Sequence, residues 1–318
     1  VTVKVLSITG WCRNGSTIIG NVLNEVPGFF HVGELHFLWK NAAGMGSNTL
    51  CGCGADLTEC GIWSGILPVG RPPGVSAKDH ANAVVRRQQA VVRTRHTWRV
   101  LRRGLHTERI REHAALMTLI YQAIADRTGA KVIVETNKIP AESALLPHLD
   151  GLEPYYVHLV RDPRAVAESW RLPKQYAYVM SAGRSTAYWL GFNLASRALT
   201  RRYPERSLFL RYEDFIADPA GKIGDLLSLC GEGSAANPVQ GHTIELGTNH
   251  TVTGNPDRFR SGPTRIRERD YSWQAGLSLP AKLAATVVAW PLLGRYGYPR
   301  FSGLAARSGE RRTIGSGA

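Results

Sequence analysis

Residues 3–22 read VKVLSITGWCRNGSTIIGNV. Six or seven mostly apolar and β-branched residues come first, then a loop bounded by Gly10 and Gly15, then an apolar run at helical spacing. Ile18, Ile19, Val22, Leu23 and Val26 fall on one face of a helix opened by Ser16 and Thr17. Strand, glycine loop and helix in that order place free N–H groups and the positive end of a helix dipole at one point. An anion binds there without further machinery. The spacing fits the mononucleotide loop Gly-x-x-x-x-Gly-Lys-Ser/Thr at Gly10, Gly15 and Thr17, but Ser16 stands where that pattern requires lysine. ATP or GTP hydrolysis needs that lysine on the β- and γ-phosphates. Here the cation sits earlier, at Arg13. The plain alternative is a strand–turn–helix without a ligand.

Working outward, the 318-residue chain has room for one large α/β domain with insertions. Its 43% hydrophobic and 20% charged content is that of a globular protein, and no run of eighteen apolar residues predicts a membrane span. No charged, apolar and cleavage regions in sequence mark a signal peptide, so the expected location is cytoplasmic. The net charge of +14 is carried mainly by arginine. That suits bidentate capture of phosphate or sulfate, and equally an anionic surface or nucleic acid. Five cysteines, an odd number, argue against a disulfide framework. Cys51-Gly-Cys53 with Cys60 invites a zinc reading. The spacing is not a paired C-x-x-C and no histidine lies nearby at a suitable interval, so a structured loop without metal is expected.

Glu34 follows Gly33 among packing residues Phe29, Phe30, Val32 and Leu35, a costly position for a carboxylate unless it is paired or used. It reads either as a helix N-terminal residue or as a general base, with His31 and His36 flanking it. Residues 41–78 are rich in Gly, Pro and Cys and read as an insertion loop; 79–128 are helical and crowded with arginine between Arg86 and Arg111. Those arginines form solvated helix faces or a basic rim for anionic acceptors and lipid head groups. KVIVETNKIP (131–140) is a second buried strand with Glu135 and Lys138 at its carboxyl end, the edge at which open α/β sheets bind ligands. YYVHLVRDPRAVAESW (155–170) is a third: strand, Arg161, Asp162 as helix cap, Pro163 at the first helical position, helix through Ser169. A helix, a strand ending at Arg211–Asp214, a late loop at 250–262 and an apolar helix at 280–293 complete the pattern, and residues 304–318 read as a disordered tail.

These motifs together resemble the sulfotransferases that use 3′-phosphoadenylyl sulfate (PAPS), of the bacterial type. Arg13-Asn14-Gly15-Ser16-Thr17 resembles their 5′-phosphosulfate loop, departing from it only at Asn14, and the strand–Arg161–Asp162–Pro163 corner with Ser169 resembles their 3′-phosphate motif. Gly33-Glu34 is similar to the segment that supplies the base in the bacterial and tyrosylprotein kinds; the cytosolic branch uses histidine, which keeps His36 in reserve. The resemblance implies a P-loop-like three-layer α/β/α domain over residues 1–303 around about five parallel strands. It implies sulfuryl transfer by in-line displacement with adenosine 3′,5′-bisphosphate as product and no metal. Glu34, Arg13 and Lys138 would be catalytic, and Tyr212 and either Arg258 or Arg260 would join residues 13–17, Arg161 and Ser169 around the nucleotide. The acceptor is expected to be a small molecule, glycan or lipid rather than a specific nucleic acid. A kinase of the same fold, or a non-catalytic basic module for nucleic acid or membrane, are the competing readings.

Overall fold

The computed structural model describes residues 2–173, 178–268 and 270–300; the tail expected at 304–318 lies outside them. The strand β1 (Val3–Thr9) leads through the glycine loop into α1 (Ser16–Asn24), and β2 (Phe29–Gly33) follows. The insert and the helices α2 (Ala77–Val91) and α3 (Glu108–Thr128) come next, then β3 (Val132–Glu135) and β4 (Leu152–Val160). α4 (Pro163–Arg171), α5 (Ala182–Arg202), β5 (Ser207–Arg211) and α6 (Pro219–Leu229) follow. The described chain ends with a hairpin of β6 (Thr243–Leu246) and β7 (Gly262–Arg265) and with α7 (Leu279–Leu293).

The five main strands form one sheet in the order β2-β3-β1-β4-β5, with every pairing parallel. A parallel sheet covered on both faces needs strands apolar on both faces. β1 supplies them by alternation. Val3 and Val5 pack with Ile120 and Ile124 of α3, while Leu6 and Ile8 pack with Ile19, Val22 and Leu23 of α1. Further along the first face, buried hydroxyls replace apolar groups: Ser7 meets Ser143 at 2.8 Å and Thr9 meets Ser196 at 2.8 Å. Val5 lies opposite Ile133 of β3 and Pro154 of β4, so the central strand is held along its length on both edges.

Two elements differ from the sequence-based expectation. Phe29–Gly33 forms an edge strand, whereas the run through Leu38 reads from sequence as packing residues beside a helix start. The β6–β7 hairpin is antiparallel and separate from the main sheet. The expected helical span resolves into α2, α3 and a short helix between them, Thr97–Arg103. Some of its arginines are paired: Arg87 with Glu112 at 3.2 Å and Arg111 with Glu108 at 2.7 Å. No described helix is long and apolar enough to cross a membrane.

Candidate active site

All five strands of the sheet point their carboxyl ends at one cleft of about 710 Å³. Its wall takes Arg13 and Gly15 to Ile18 from the turn after β1, Glu34 and Phe37 after β2, and Lys138 after β3. Arg161, Ser169 and Trp170 follow β4, and Tyr212 follows β5. Ligands of open α/β sheets sit at this edge, where the crossovers diverge. Five cations (Arg13, Lys40, Lys138, Arg161, Arg267) face three carboxylates (Glu34, Glu168, Asp257) in the wall, so the cleft favours anions.

The first turn is built around two positions that exclude a side chain. Gly10 has φ +141°, and a β-carbon there would come within 2.2 Å of the Leu159 carbonyl oxygen. Gly15 has φ +90°, and its β-carbon would meet the Tyr212 ring at 2.2 Å. Arg13 adopts φ 71°, a left-handed conformation that costs a residue with a side chain roughly 1–3 kcal/mol. Its guanidinium lies over Trp170, 4.8 Å from the ring centroid. Asn14 points inward: its Nδ2 donates to the Leu159 carbonyl at 2.9 Å, and its Oδ1 accepts from the Ser16 N–H at 3.3 Å. It therefore braces the turn against β4, and its side chain is not in the cleft wall. No side chain caps α1, so the first-turn N–H groups beyond Ser16 face the cleft with the positive helix end. Burial raises the thiol of Cys12, also in the wall, to about 12, which disqualifies it as a nucleophile at neutral pH.

Arg161 joins this turn to the opposite wall. Its Nη1 donates to the Arg13 carbonyl at 2.8 Å, while Nε and Nη2 grip the buried carboxylate of Asp270 at 2.6 and 2.7 Å. The guanidinium also lies 5.1 Å from the centre of the Tyr212 ring. Burial opposes the charge, but the Asp270 pair outweighs it and holds Arg161 above the usual arginine range. Asp162 caps α4, accepting from the Arg164 N–H at 2.9 Å, and a fully buried fork from Arg164 holds the same carboxylate. Trp273 lies 4.3 Å beneath that fork.

Glu34 lies directly after β2, with Lys138 Nζ 3.6 Å away, and both face the cleft. Lys138 also donates to the Thr136 carbonyl. His36 does not line the cleft. Its Nδ1 lies 2.7 Å from Glu142, which also accepts from Asn137 at 3.2 Å and has His113 at 3.5 Å. Burial works to raise Glu142, but His36 and His113 hold it down at about 2. The reserve base is thus committed to a hydrogen bond with Glu142, away from the cleft. Glu135 is interior too, accepting from the Tyr121 hydroxyl at 2.5 Å; burial and the neighbouring Glu142 raise it to about 8.

The late loop places neither expected arginine in the wall. Arg258 is buried and donates to the carbonyls of Leu50 and Thr251, at 2.9 and 3.1 Å, stitching the insert to the loop. Arg260 is exposed and pairs with Asp257 at 2.9 Å. The cation that does line the cleft from this side is Arg267, 3.7 Å from Asp270. Its place in the alternating run after Arg265 is the only sequence signal for it; nothing local marks Asp270. The insert contributes Gly46 to Asn48, and Asn48 donates to Thr253 at 2.8 Å. Cys51, Cys53 and Cys60 of the insert converge on His250, so the histidine absent from the neighbouring sequence arrives from a distant loop.

The sulfotransferase family model matches residues 68–234, just over half of the chain and inclusive of Lys138, Arg161, Ser169 and Tyr212. The chain belongs to the sulfotransferase family. Among solved structures this sulfotransferase is similar to the sulfotransferase domain from the curacin biosynthetic pathway. The two share 17% identity with a TM-score of 0.54, over 93% of this chain and 98% of that one. It is also similar to the sulfotransferase domain of the olefin synthase from Synechococcus PCC 7002. There the identity is 19% and the TM-score 0.53, over 94% of this chain and 96% of that one. At these identities the likeness concerns the fold, a P-loop-like α/β domain with a central parallel sheet. No protein of curated function matches the sequence.

Proposed function

We propose that this sulfotransferase moves the sulfuryl group from PAPS to a hydroxyl or amine acceptor. The observation that carries the reading is the 2.8 Å bond from Arg161 to the Arg13 carbonyl. It draws the helix-start turn and the strand-to-helix corner into one cleft, so a single nucleotide with phosphates at both ends can touch both. In this reading the 5′-phosphosulfate lies on residues 13–17, against the open N–H groups of α1. The 3′-phosphate lies between Arg161 and Ser169. Arg267 supplies the late-loop cation that sequence assigned to Arg258 or Arg260.

The step is an in-line displacement. The acceptor oxygen or nitrogen bonds to sulfur as the bond from sulfur to the 5′-phosphate oxygen breaks, and the acceptor proton passes to the Glu34 carboxylate. Lys138, 3.6 Å from that carboxylate, keeps it oriented and supports charge on the sulfuryl oxygens. Arg13 and the helix start stabilise the charge that collects on the departing phosphate, where fixed donors act most strongly. Phe37, Trp170, Leu172 and Tyr178 in the same wall favour a small-molecule, glycan or lipid acceptor with an apolar body beside its hydroxyl.

Titration calorimetry with adenosine 3′,5′-bisphosphate, followed by transfer assays with labelled PAPS over a panel of acceptors, tests the proposal. Submillimolar binding and acceptor-dependent label transfer are expected. Binding of ATP with Mg²⁺ in place of the bisphosphate would instead favour the kinase reading. Glu34→Gln is expected to bind the bisphosphate as the parent does while transfer falls by roughly 10² or more, as loss of a general base does.

A further inference from the structure

Four donor atoms meet where the insert touches the late loop: the thiols of Cys51, Cys53 and Cys60 and Nδ1 of His250, all within 4.8 Å of one another. Three of its six edges are 3.9 Å from Cys53 to Cys60, 3.8 Å from Cys51 to His250 and 3.3 Å from Cys60 to His250, and the other three are no longer than 4.8 Å. A tetrahedral zinc ion with Zn–S near 2.3 Å and Zn–N near 2.0–2.1 Å spaces its ligands by about 3.8 Å for sulfur to sulfur and about 3.6 Å for sulfur to nitrogen. Those three edges lie within about 0.3 Å of that geometry. A disulfide accounts for them less well, since it would bring two sulfurs to about 2.0 Å and leave the third thiol and the imidazole converging on nothing.

The backbone holds the donors in place independently of any ion. The Cys51 N–H donates to the Ala55 carbonyl at 2.8 Å and the Gly54 N–H to the Cys51 carbonyl at 2.9 Å, closing a tight turn around Cys53. Gly54 has φ +89°, which the turn requires. The Gly52 N–H donates to the Thr251 carbonyl at 3.0 Å, and a β-carbon on Gly52 would lie 2.7 Å from the Thr251 hydroxyl, so the two segments approach as closely as glycine allows. The Trp63 indole donates to the His250 carbonyl at 2.7 Å and fixes the histidine backbone from the other side. Cys51 and Cys60 are buried; Cys53 and His250 are half-buried, leaving a route of entry.

We propose that Cys51, Cys53, Cys60 and His250 bind one zinc ion in a closed, structural Cys₃His site. Three thiolates and one imidazole in a tetrahedral set select zinc over magnesium or calcium. With all four positions taken by protein, the ion has no open position for substrate and takes no part in transfer. Its effect is mechanical: it clamps the insert that carries Gly46 to Asn48 against the loop that carries Thr253 to Asn255, and both segments form the cleft wall.

The full chain, purified without a polyhistidine tag under reducing conditions, is analysed for metal by plasma mass spectrometry. About one zinc per chain is expected, falling below about a tenth in Cys60→Ser and His250→Ala and unchanged in Cys230→Ser, whose thiol lies elsewhere in the core. Less than about a tenth of an ion per parent chain after reconstitution with Zn²⁺, full retention in Cys60→Ser, or a Cys53–Cys60 disulfide in the purified chain would overturn the proposal. Because the variants can fail to fold, the parent chain is also stripped and reloaded with Co²⁺. Tetrahedral d–d bands with thiolate-to-cobalt charge transfer support the site, and their absence sinks it.

Discussion

Arg161 makes contact with more of the cleft than any motif around it announces. Its fork is shared between a carboxylate and a backbone carbonyl, so it positions the first turn as well as carrying charge. Replacing it by alanine should weaken binding of adenosine 3′,5′-bisphosphate far more than of adenosine 5′-phosphate. Calorimetry with both ligands measures that ratio, and an unchanged ratio would place the 3′-phosphate elsewhere. Arg13→Ala should reduce turnover by about 10² or more, the scale of a lost charge-stabilising donor, with stability read in parallel by thermal melting. Both arginines stand out in the sequence because the strand, loop and cap around them are local. Their partners do not. Asp270 lies 109 positions beyond Arg161, and the carbonyls that claim Arg258 lie 208 and 7 positions away, so its burial could not be read from the run of charges around it.

At the level of elements, four of the five main strands were legible and the edge strand β2 was not. Phe29–Gly33 runs directly into the apolar stretch of Leu35 to Trp39, and such a run, with no turn residues to divide it clearly, fits a helix as well as a strand. What settles it is the neighbouring β3, which is visible only once the sheet forms. The end of β3 also carries a titration that can be measured. Glu135 ionises near 4.5 in the unfolded chain and at about 8 in the folded one, because burial disfavours its charge. The folded chain therefore holds the extra proton between those values. The stability this supplies is complete below pH 4.5 and is lost as pH rises through about 8. Glu142 acts in the opposite sense, its contribution present above 4.5 and lost as pH falls through about 2. Melting temperatures recorded across the interval from 4.5 to 8 should fall with pH in the parent chain and fall less steeply in Glu135→Gln. Parallel slopes would mean that Glu135 is already ionised in the fold.

For the molecule as a whole, a ligand that bridges the first turn and the corner after β4 should stabilise the entire sheet, because both elements flank its central strand. Adenosine 3′,5′-bisphosphate at a hundred times its dissociation constant should add about 2.7 kcal/mol, read as a rise in melting temperature that Arg161→Ala diminishes. The same topology bears on any attempt to divide the chain. The stretch that matches the family begins at residue 68, yet the strand at the middle of the sheet is Val3–Thr9. Cut to that stretch, the polypeptide would keep the third and fourth strands with a missing plank between them. Each would expose an edge of unpaired amides and carbonyls, an invitation to aggregate. Expressed alone, residues 68–234 should therefore collect in inclusion bodies and bind no nucleotide, however well their sequence speaks for the family.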